Sequence, residues 1–266
     1  FKFKFILKPL MIFFVLGGEG FIGSAICRYL KKNKIKYFSI TKKNYKKFLN
    51  KNCDIFVNCN GNSIKWFSEK DYSMDFDKTV ISTFKSTKDF KFKTYVLISS
   101  GEVYNKNIKI KHENSKIESS KLSNYGFNKL VSEEIIKRTC NSFLIFRMGG
   151  FVGKNLKKNL VYDLINNKQI WVSKKSTYQY IDVDEASSII FKILKKTKNE
   201  IFNLTGKGPI NLMDTLSLLD IKNTNFKKKL RLEKNNLHLE KISKLTKIPT
   251  TKNQLKTFYD NFKNTN

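Results

Sequence analysis

The chain has 266 residues, which is enough for one large domain with an ample core and excludes a mini-protein that depends on disulfides. Hydrophobic residues make up 40% of the chain, and it contains only 3 prolines. This composition excludes an intrinsically disordered chain. The formal net charge of +30 raises the question of a nucleic-acid or anionic-membrane partner.

The first ten residues, Phe1 to Leu10, are basic and apolar, and lysines interrupt their apolar runs. These runs are far shorter than the about 20 apolar residues that a membrane-spanning helix needs. We therefore expect residues 1–10 to be a leader, or sequence ahead of a natural start at Met11. No later stretch reaches the length of a transmembrane helix, so the sequence predicts no membrane partner.

The apolar residues predict strands and helices that alternate along the chain. The predicted strands are 12–16, 37–41, 54–58, 94–99 and 143–147, with helical stretches at 21–32, 74–89 and 124–140 and an amphipathic stretch at 44–51. Unbroken apolar strands such as Ile12 to Leu16 are typical of a parallel sheet buried on both faces, and parallel neighbours need crossover helices. The sequence thus predicts an α/β fold with a Rossmann-type doubly wound parallel sheet.

The alternation becomes irregular beyond Gly153, where only an apolar patch at 160–166, a helix at 185–196 and a strand at 201–204 are predicted. We assign residues 11–150 to a dinucleotide-binding Rossmann domain. Residues 151–266 are assigned mainly to a small C-terminal substrate lobe, with one helix and one strand, at about 185–204, returning to the Rossmann sheet. No linker separates the two parts, so we expect them to share one core.

The first predicted strand ends in a glycine-rich turn with Gly17, Gly20 and Gly23. Such a turn lets the backbone approach a pyrophosphate while the N–H groups at the start of the next helix point at it. The sequence therefore predicts a dinucleotide site that includes these glycines and the first helical residues, Phe21 and Ile22. The alternative is a tight turn without a ligand.

The second predicted strand ends at Thr41, followed by Lys42 and Lys43. NAD-binding proteins usually carry an acidic residue here that accepts hydrogen bonds from the adenosine ribose, whereas cations here accommodate a 2′-phosphate. We therefore expect all three residues to contact the cofactor and NADP(H) to be preferred, with NAD(H) possible. The alternative is that these lysines belong to the general basic background.

That background consists almost entirely of lysine. Arginine occurs only at Arg28, Arg138, Arg147 and Arg231, although proteins that read bases favour its forked guanidinium. A coding bias toward Lys and Asn explains the charge without a partner, so we expect no nucleic-acid partner and keep nucleic-acid binding as an alternative. The four cysteines lack the spacing of a zinc site, which predicts no metal site and reduced thiols in a cytoplasmic protein.

Tyr125 and Lys129 are four residues apart in a predicted helix, which stacks their side chains on one face. An ammonium beside a phenol favours phenolate, so we expect Lys129 to lower the pKa of Tyr125 toward a range useful for proton transfer. Ser99 and Ser100 end the fourth predicted strand, at the sheet edge where open α/β sheets bind ligands.

These residues belong to a series of ordered motifs that covers most of the chain. The series is the glycine turn, Ser99-Ser100-Gly-Glu-Val-Tyr104, Tyr125-Gly-Phe-Asn-Lys129, Arg147-Met-Gly-Gly-Phe-Val-Gly153, Tyr180-Ile-Asp-Val-Asp-Glu-Ala186 and Phe202-Asn-Leu-Thr-Gly206. With this series the chain resembles an extended short-chain dehydrogenase/reductase of the NAD-dependent epimerase/dehydratase group.

The resemblance implies roles for individual residues. Tyr125 would be the general acid or base, with Lys129 as its pKa partner and a ribose contact. Ser100 aligns with the catalytic Ser or Thr that hydrogen-bonds the reacting oxygen, and Ser99 would lie at the cofactor. Glu102 falls where sugar-nucleotide dehydratases carry a catalytic Glu, although it is equally compatible with an ordinary loop carboxylate.

Some positions depart from the family pattern. Gly101, a candidate substrate contact, stands where many dehydratases have an Asp, which puts a full elimination mechanism in doubt. Asn60 lies in a turn that is usually alanine-rich, so we expect a more polar cofactor pocket with Asn60 as a contact. Arg231 would contact the pyrophosphate of a nucleotide sugar, or else lie on a solvated surface.

The sequence and the resemblance together predict an NAD(P)-dependent oxidoreductase, epimerase or dehydratase that acts on a nucleotide-linked sugar. Reduction of a keto sugar, with Tyr125 as the proton donor, is the expected reaction. The alternative is a non-catalytic dinucleotide-binding sensor or interaction protein, because a fold alone does not decide function. The resemblance also implies a homodimer formed through the helices that follow the third and fourth strands.

Overall fold

The computed structural model describes residues 11–63 and 65–264, so the predicted leader at residues 1–10 lies outside the described residues. The strands are β1 (Phe13–Leu16), β2 (Tyr37–Ile40), β3 (Asn52–Asn58), β4 (Lys91–Ser100), β5 (Phe143–Met148), β6 (Gly150–Val152), β7 (Gln169–Val172), β8 (Thr177–Tyr178), β9 (Tyr180–Asp182), β10 (Glu200–Leu204), β11 (Ile210–Asn211) and β12 (Asn225–Arg231). The helices are α1 (Phe21–Lys32), α2 (Lys65–Lys70), α3 (Tyr72–Phe76), α4 (Ser82–Asp89), α5 (Asn124–Thr139), α6 (Leu160–Ile165), α7 (Val183–Leu194), α8 (Leu212–Leu218), α9 (Glu240–Ser243) and α10 (Thr251–Lys263).

Six strands form the central sheet in the order β10-β5-β4-β3-β1-β2, and every neighbouring pair in it is parallel. The predicted α/β fold with a doubly wound parallel sheet is confirmed. The strand order reverses direction between β1 and β3. In such sheets a crevice opens at this switch point, outside the carboxyl ends of the strands, and ligands bind there.

Both faces of the sheet are buried because successive strand residues point in opposite directions. Phe13 and Val15 pack against α1 and α7 on one face, whereas Phe14 and Leu16 belong to the core on the other face. Helices α4 and α5 pack together on that second side. This two-sided burial accounts for the unbroken apolar run in β1.

One of the two edges of the sheet, at β10, is covered by side chains from two other segments. The backbone N–H of Asn203 donates to Oε1 of Glu113 at 2.9 Å. The backbone carbonyl of Ile201 accepts from Nζ of Lys241, also at 2.9 Å. These bonds satisfy backbone groups that an edge strand otherwise leaves open.

The predicted elements differ from the observed ones mainly at their ends. The second strand stops at Ile40, one residue before Thr41, and the amphipathic stretch at 44–51 forms only a short 3-10 turn, Tyr45–Phe48. The helical stretch predicted at 74–89 consists of α3, a π-helical turn at Asp77–Ile81, and α4.

Residues after β5 build three two-stranded sheets beside the central one: β6 with β9, β7 with β12, and β8 with β11. Helix α7 and strand β10 return to the central sheet at 183–194 and 200–204, close to the predicted 185–204. Among the described residues, no helix combines the length and apolar character needed to cross a bilayer.

Candidate active site

The glycine turn after β1 is held by close backbone contacts. Gly17 has a φ of +76°, and a Cβ on it would lie 3.1 Å from the backbone N of Asn60 in the turn after β3. A Cβ on Gly23 would lie 2.1 Å from the carbonyl O of Gly17, so α1 packs against the turn at a distance that only glycine permits. These contacts bring the carboxyl ends of β1 and β3 together at the switch point.

The same turn leaves one side open. Gly20 is exposed, and a Cβ on it would meet only the carbonyl O of Gly17, at 3.2 Å. Gly20 is the N-cap of α1, whose first residues are Phe21 and Ile22. An open glycine at a helix N-terminus fits a pyrophosphate, because the first N–H groups of a helix have no partners within it. The turn therefore fits a dinucleotide.

The tip of β2 lies next to this turn. Asn44 folds back so that its Oδ1 accepts from the N–H of Thr41 at 2.8 Å and its Nδ2 donates to the carbonyl of Ser39 at 3.0 Å. This turn ends the strand before Thr41 and leaves the side chains of Lys42 and Lys43 exposed. The two lysines are thus available to an anionic ligand at the tip of β2.

The turn after β3 is fixed by a buried asparagine. Asn58 donates from Nδ2 to the hydroxyl of Tyr95 at 2.8 Å, and its Oδ1 accepts from the N–H of Asn60 at 2.9 Å. The side chain of Asn60 donates to Oγ of Ser82, at the start of α4, at 2.6 Å. The amide group of Asn60 is therefore occupied by α4, and its backbone is the part that approaches Gly17.

Tyr125 and Ser100 meet where α5 begins beside the end of β4. A Cβ on Gly126 would lie 2.3 Å from the carbonyl O of Glu102, so the first turn of α5 lies directly against the turn after β4. The Ser100 side chain lies beside Tyr125. Burial raises the pKa of Tyr125, and the neighbouring Ser100 only partly opposes the shift. Tyr125 is therefore a protonated phenol at neutral pH.

The pKa of Tyr125 does not fall below its ordinary value, as we had expected from Lys129, because burial outweighs the neighbouring groups. The Nζ of Lys129 lies 5.8 Å from the centroid of the Tyr125 ring, but both side chains are buried and burial dominates both. Burial lowers the pKa of Lys129 to about 8, although Asp75, Cys59 and Glu133 act in the opposite direction.

The space around the Lys129 ammonium depends on two neighbours. A Cβ on Gly61, whose φ is +122°, would lie 3.0 Å from Nζ of Lys129. Asp75 is fully buried on α3, where it accepts from Nδ2 of Asn128 at 2.7 Å and from the hydroxyl of Thr79 at 3.3 Å. Gly61 thus leaves room for the ammonium, and Asp75 supplies a fixed negative charge that favours its charged form.

Glu102 forms an ion pair with Lys65, at the start of α2. Burial raises the pKa of the Glu102 carboxyl, but Lys65, Lys111 and Lys106 together outweigh it, so the pKa lies below its ordinary value. Glu102 is consequently ionised at neutral pH. Lys111 is almost fully buried, and its Nζ donates to Oδ1 of Asn235 at 3.2 Å.

Ser99 belongs to a different, fully buried network. Its hydroxyl donates to Oε1 of Glu133 at 2.5 Å, and Nη2 of Arg147 donates to Oε2 of the same carboxylate at 2.7 Å. The Arg147 guanidinium also lies over the ring of Tyr104, 4.8 Å from its centroid. Because the Ser99 side chain is engaged here, only its backbone is left for a cofactor.

The two remaining candidates lie near the C-terminal segment. A Cβ on Gly101 would lie 3.1 Å from a methyl carbon of Leu237, so Leu237 occupies the space that an Asp would need at this position. Arg231 is 71% exposed and its Nε donates to Glu233 at 2.8 Å. It lies on the surface of the lobe.

The sequence patterns did not single out four residues of this region: Lys65, Asp75, Lys111 and Glu133. The signal for Glu133 was present, because a rare arginine in a buried strand needs a carboxylate partner and Glu133 follows Lys129 by one helical turn. Lys65 and Lys111 carried no signal in a chain so rich in lysine.

Comparison with known proteins agrees with this architecture. The model of the NAD dependent epimerase/dehydratase family matches residues 13–205. No match was found among curated protein sequences.

Solved structures share the fold at low sequence identity. A UDP-glucose 4-epimerase from Thermotoga maritima, in complex with UDP-glucose, is 18% identical with a TM-score of 0.81, over 96% of this chain and 99% of that one. A UDP-glucuronic acid 4-epimerase from Bacillus cereus, in complex with UDP-glucuronic acid and NAD, is 19% identical with a TM-score of 0.77, over 96% and 100%. A dTDP-4-dehydrorhamnose reductase from Clostridium acetobutylicum is 18% identical with a TM-score of 0.78, over 95% and 100%.

Proposed function

Since the chain belongs to the NAD-dependent epimerase/dehydratase family, we propose that it reduces a keto group of a nucleotide-linked sugar, with Tyr125 as the proton donor. The observation that carries this proposal is the buried Tyr125 phenol, which lies beside Ser100 and is held protonated by burial. A group that is protonated at neutral pH serves a reduction, which consumes one proton for each hydride.

The residues that would hold the dinucleotide are the glycine turn, the first turn of α1 and the tip of β2. The fit rests on the open side of Gly20 and on the exposed Lys42 and Lys43. A bound nicotinamide supplies the hydride for the carbonyl carbon or accepts it in the reverse direction.

The chain's own residues manage the proton. Tyr125 gives its phenolic proton to the carbonyl oxygen as that oxygen becomes a hydroxyl, and Ser100 hydrogen-bonds the same oxygen. The buried Lys129 ammonium stabilises the phenolate left on Tyr125, because the attraction between opposite charges is strong where water is excluded. A proton from solvent then restores the phenol. Glu102 is ionised, so it is suited to removing a proton next to the ketone rather than delivering one.

A nucleotide-linked substrate is proposed from the family and from the cations at this end of the sheet. The Thermotoga maritima and Bacillus cereus epimerases hold UDP-glucose and UDP-glucuronic acid. We propose that Lys65, Lys111 and Arg231 attract the diphosphate and that Gly101 contacts the sugar.

The test of catalysis is the Tyr125→Phe variant, with turnover measured by the loss of NADPH absorbance against a panel of nucleotide keto sugars. We expect turnover to fall by at least about 100-fold, since general acid catalysis contributes on this scale, with the dissociation constant for NADPH nearly unchanged. Full activity of the variant would refute the role of Tyr125. Tight dinucleotide binding by the wild-type protein, without turnover of any substrate, would favour a sensor instead.

We also propose that NADP(H) is preferred over NAD(H). The support is the pair of exposed lysines at the tip of β2, where no carboxylate stands. The relatives do not add to it, since the Bacillus cereus epimerase holds NAD. In a Lys42→Ala/Lys43→Ala variant we expect NADPH to bind about tenfold more weakly and NADH to bind as before, while Lys46→Ala/Lys47→Ala is the matched control. Tighter binding of NADH than NADPH by the wild-type protein would overturn the preference.

The proposed homodimer would use the helices after β3 and β4. Exposed apolar side chains on α2 to α4 support this surface, namely Trp66, Tyr72, Met74 and Phe84. Sedimentation of a Phe84→Lys variant as a monomer, with the wild-type protein as a dimer, is the expected result. A cytoplasmic location is proposed from the four cysteines, which are all free thiols within the described residues.

A further inference from the structure

The β7–β12 ribbon of the lobe has one buried face and one exposed face. In its register Phe226 lies opposite Ile170 and Arg231 lies opposite Val172. Ile170 and Val172 are buried in a small core against which Phe226 packs. Directly opposite residues of paired strands point to the same face, so Phe226 shares the inner face of the ribbon with Ile170 and Val172, whereas Arg231, beyond a shift in register, is exposed.

The outer face carries large apolar side chains. Trp171 alternates with the inward Ile170 and Val172, which puts it on the outer face. Leu230 and Leu232 flank Arg231, the partner of Val172, and are exposed as well. Their exposed fractions are 51% for Trp171, 38% for Leu230 and 55% for Leu232. The register shifts between Phe226 and Arg231, which indicates a bulge in β12 opposite Trp171.

Lysines surround these apolar side chains. The bulge contains Lys227, Lys228 and Lys229, and Lys174 and Lys175 lie just after β7. All five of these lysines except Lys227 are exposed. The Nζ of Lys227 lies over the Trp171 ring, 3.1 Å from its centroid. The nearby carboxylate of Glu233 is already paired with Arg231 and accepts from the hydroxyl of Tyr178 at 2.9 Å. The outer face therefore presents an uncompensated positive charge around an apolar centre.

We propose that this outer face, defined by Trp171, Leu230, Leu232 and the lysines of the bulge, docks on the surface of an anionic lipid bilayer. An interfacial tryptophan and flanking leucines enter the boundary between headgroups and acyl chains, while lysines at the same level are attracted by anionic headgroups. The chain is held at the surface and does not span the bilayer.

A nucleic acid fits this face less well. Base stacking needs an open aromatic face, and Lys227 already covers one face of the Trp171 ring. Exposed leucines contribute nothing to the binding of phosphates, whereas their transfer from water into a bilayer surface is favourable in free energy. The combination of Leu230 and Leu232 with lysines thus favours lipid over RNA.

The two tryptophans of the chain, Trp66 and Trp171, make a direct test possible. In a Trp66→Phe variant, Trp171 is the sole tryptophan and reports its own environment by fluorescence. We expect its emission to shift to shorter wavelength with vesicles of phosphatidylcholine containing 30% phosphatidylglycerol, about the anionic content that gives a substantial surface potential. With vesicles of phosphatidylcholine alone we expect no shift.

Co-sedimentation of the full chain with the same vesicles separates this surface from the general charge. Lys228→Glu/Lys229→Glu should weaken binding at least about tenfold, since each lysine near an anionic surface is worth roughly fivefold. Lys46→Glu/Lys47→Glu, with the same change of net charge at exposed positions, should change it less than about twofold. Leu230→Ser/Leu232→Ser should weaken binding and abolish the Trp171 shift, with circular dichroism as the check of folding.

The proposal is overturned if both lysine pairs weaken binding equally, because net charge alone would then attract the vesicles. It is also overturned if the Trp171 emission does not move with anionic vesicles. Binding of a single-stranded RNA that needs Lys228 and Lys229, without binding to vesicles, would assign the face to nucleic acid instead.

Discussion

The Asp75→Asn substitution tests how the buried charge of Lys129 is maintained. Burial lowers the pKa of Lys129 to about 8, and Asp75 is the strongest group that opposes this shift. At pH 7 a group with that pKa is about 90% protonated. Loss of a nearby opposite charge lowers a cation's pKa by about 1 to 2 units, so Lys129 would be only about 10 to 50% protonated at pH 7.

The expected consequence is a shift in the pH dependence of turnover. A protonated Lys129 is needed to stabilise the phenolate of Tyr125, so activity is lost as the pH rises through the pKa of Lys129. In the wild-type protein this loss should be centred at about 8. In Asp75→Asn it should be centred between about 6 and 7, with turnover at pH 7 lowered about two- to tenfold and restored at lower pH.

The assay is NADPH oxidation with the identified keto sugar from about pH 5 to 9, a range that spans the expected midpoints by about one unit on each side. Asp77→Asn is the matched control, because Asp77 lies two residues farther along the same helical stretch and is exposed. A variant that lost activity equally at every pH would have lost structure rather than charge. An unchanged alkaline limb in Asp75→Asn would refute the reasoning.

Two further substitutions test the packing around the site. Glu133→Gln leaves the buried Arg147 guanidinium without its carboxylate and should lower the free energy of unfolding in urea by about 3 to 5 kcal/mol. The control, Glu134→Gln, changes an exposed neighbour and should alter the free energy by less than about 0.5 kcal/mol. Equal unfolding midpoints for the two variants would contradict this prediction. Gly23→Ala places a Cβ 2.1 Å from the carbonyl O of Gly17, so α1 must move. We expect the free energy of unfolding to fall by about 1 to 3 kcal/mol and NADPH to bind more weakly in a fluorescence titration. Wild-type affinity for NADPH would show that the turn is not the dinucleotide site.

The central sheet could be predicted because its strands are buried on both faces and therefore lack polar interruptions. The run from Phe13 to Leu16 and the glycine turn after it carry this information locally. The two-stranded sheets of the lobe could not be predicted in the same way. Gln169 pairs with Asn225, and no local pattern in either segment specifies a partner so distant in the chain.

The candidate site was predictable where its chemistry depends on spacing along one helix, as for Tyr125 and Lys129. Its electrostatics were not, because burial decides the direction of the pKa shifts and burial depends on the assembled fold. The ion pair of Glu102 with Lys65 likewise joins two segments that only the fold brings together. Ser99 and Ser100 are adjacent in sequence, yet alternation along β4 directs them to different networks.

The covered edge at β10 bears on how copies of this protein can associate. An added strand, from a second copy or from an unfolded chain, must bond to the backbone N–H of Asn203 and the carbonyl of Ile201. Glu113 and Lys241 already hold these two groups. In the folded protein the β10 side of the sheet is therefore closed to templated β-pairing, which guards a highly apolar parallel sheet against growth into fibrillar aggregates.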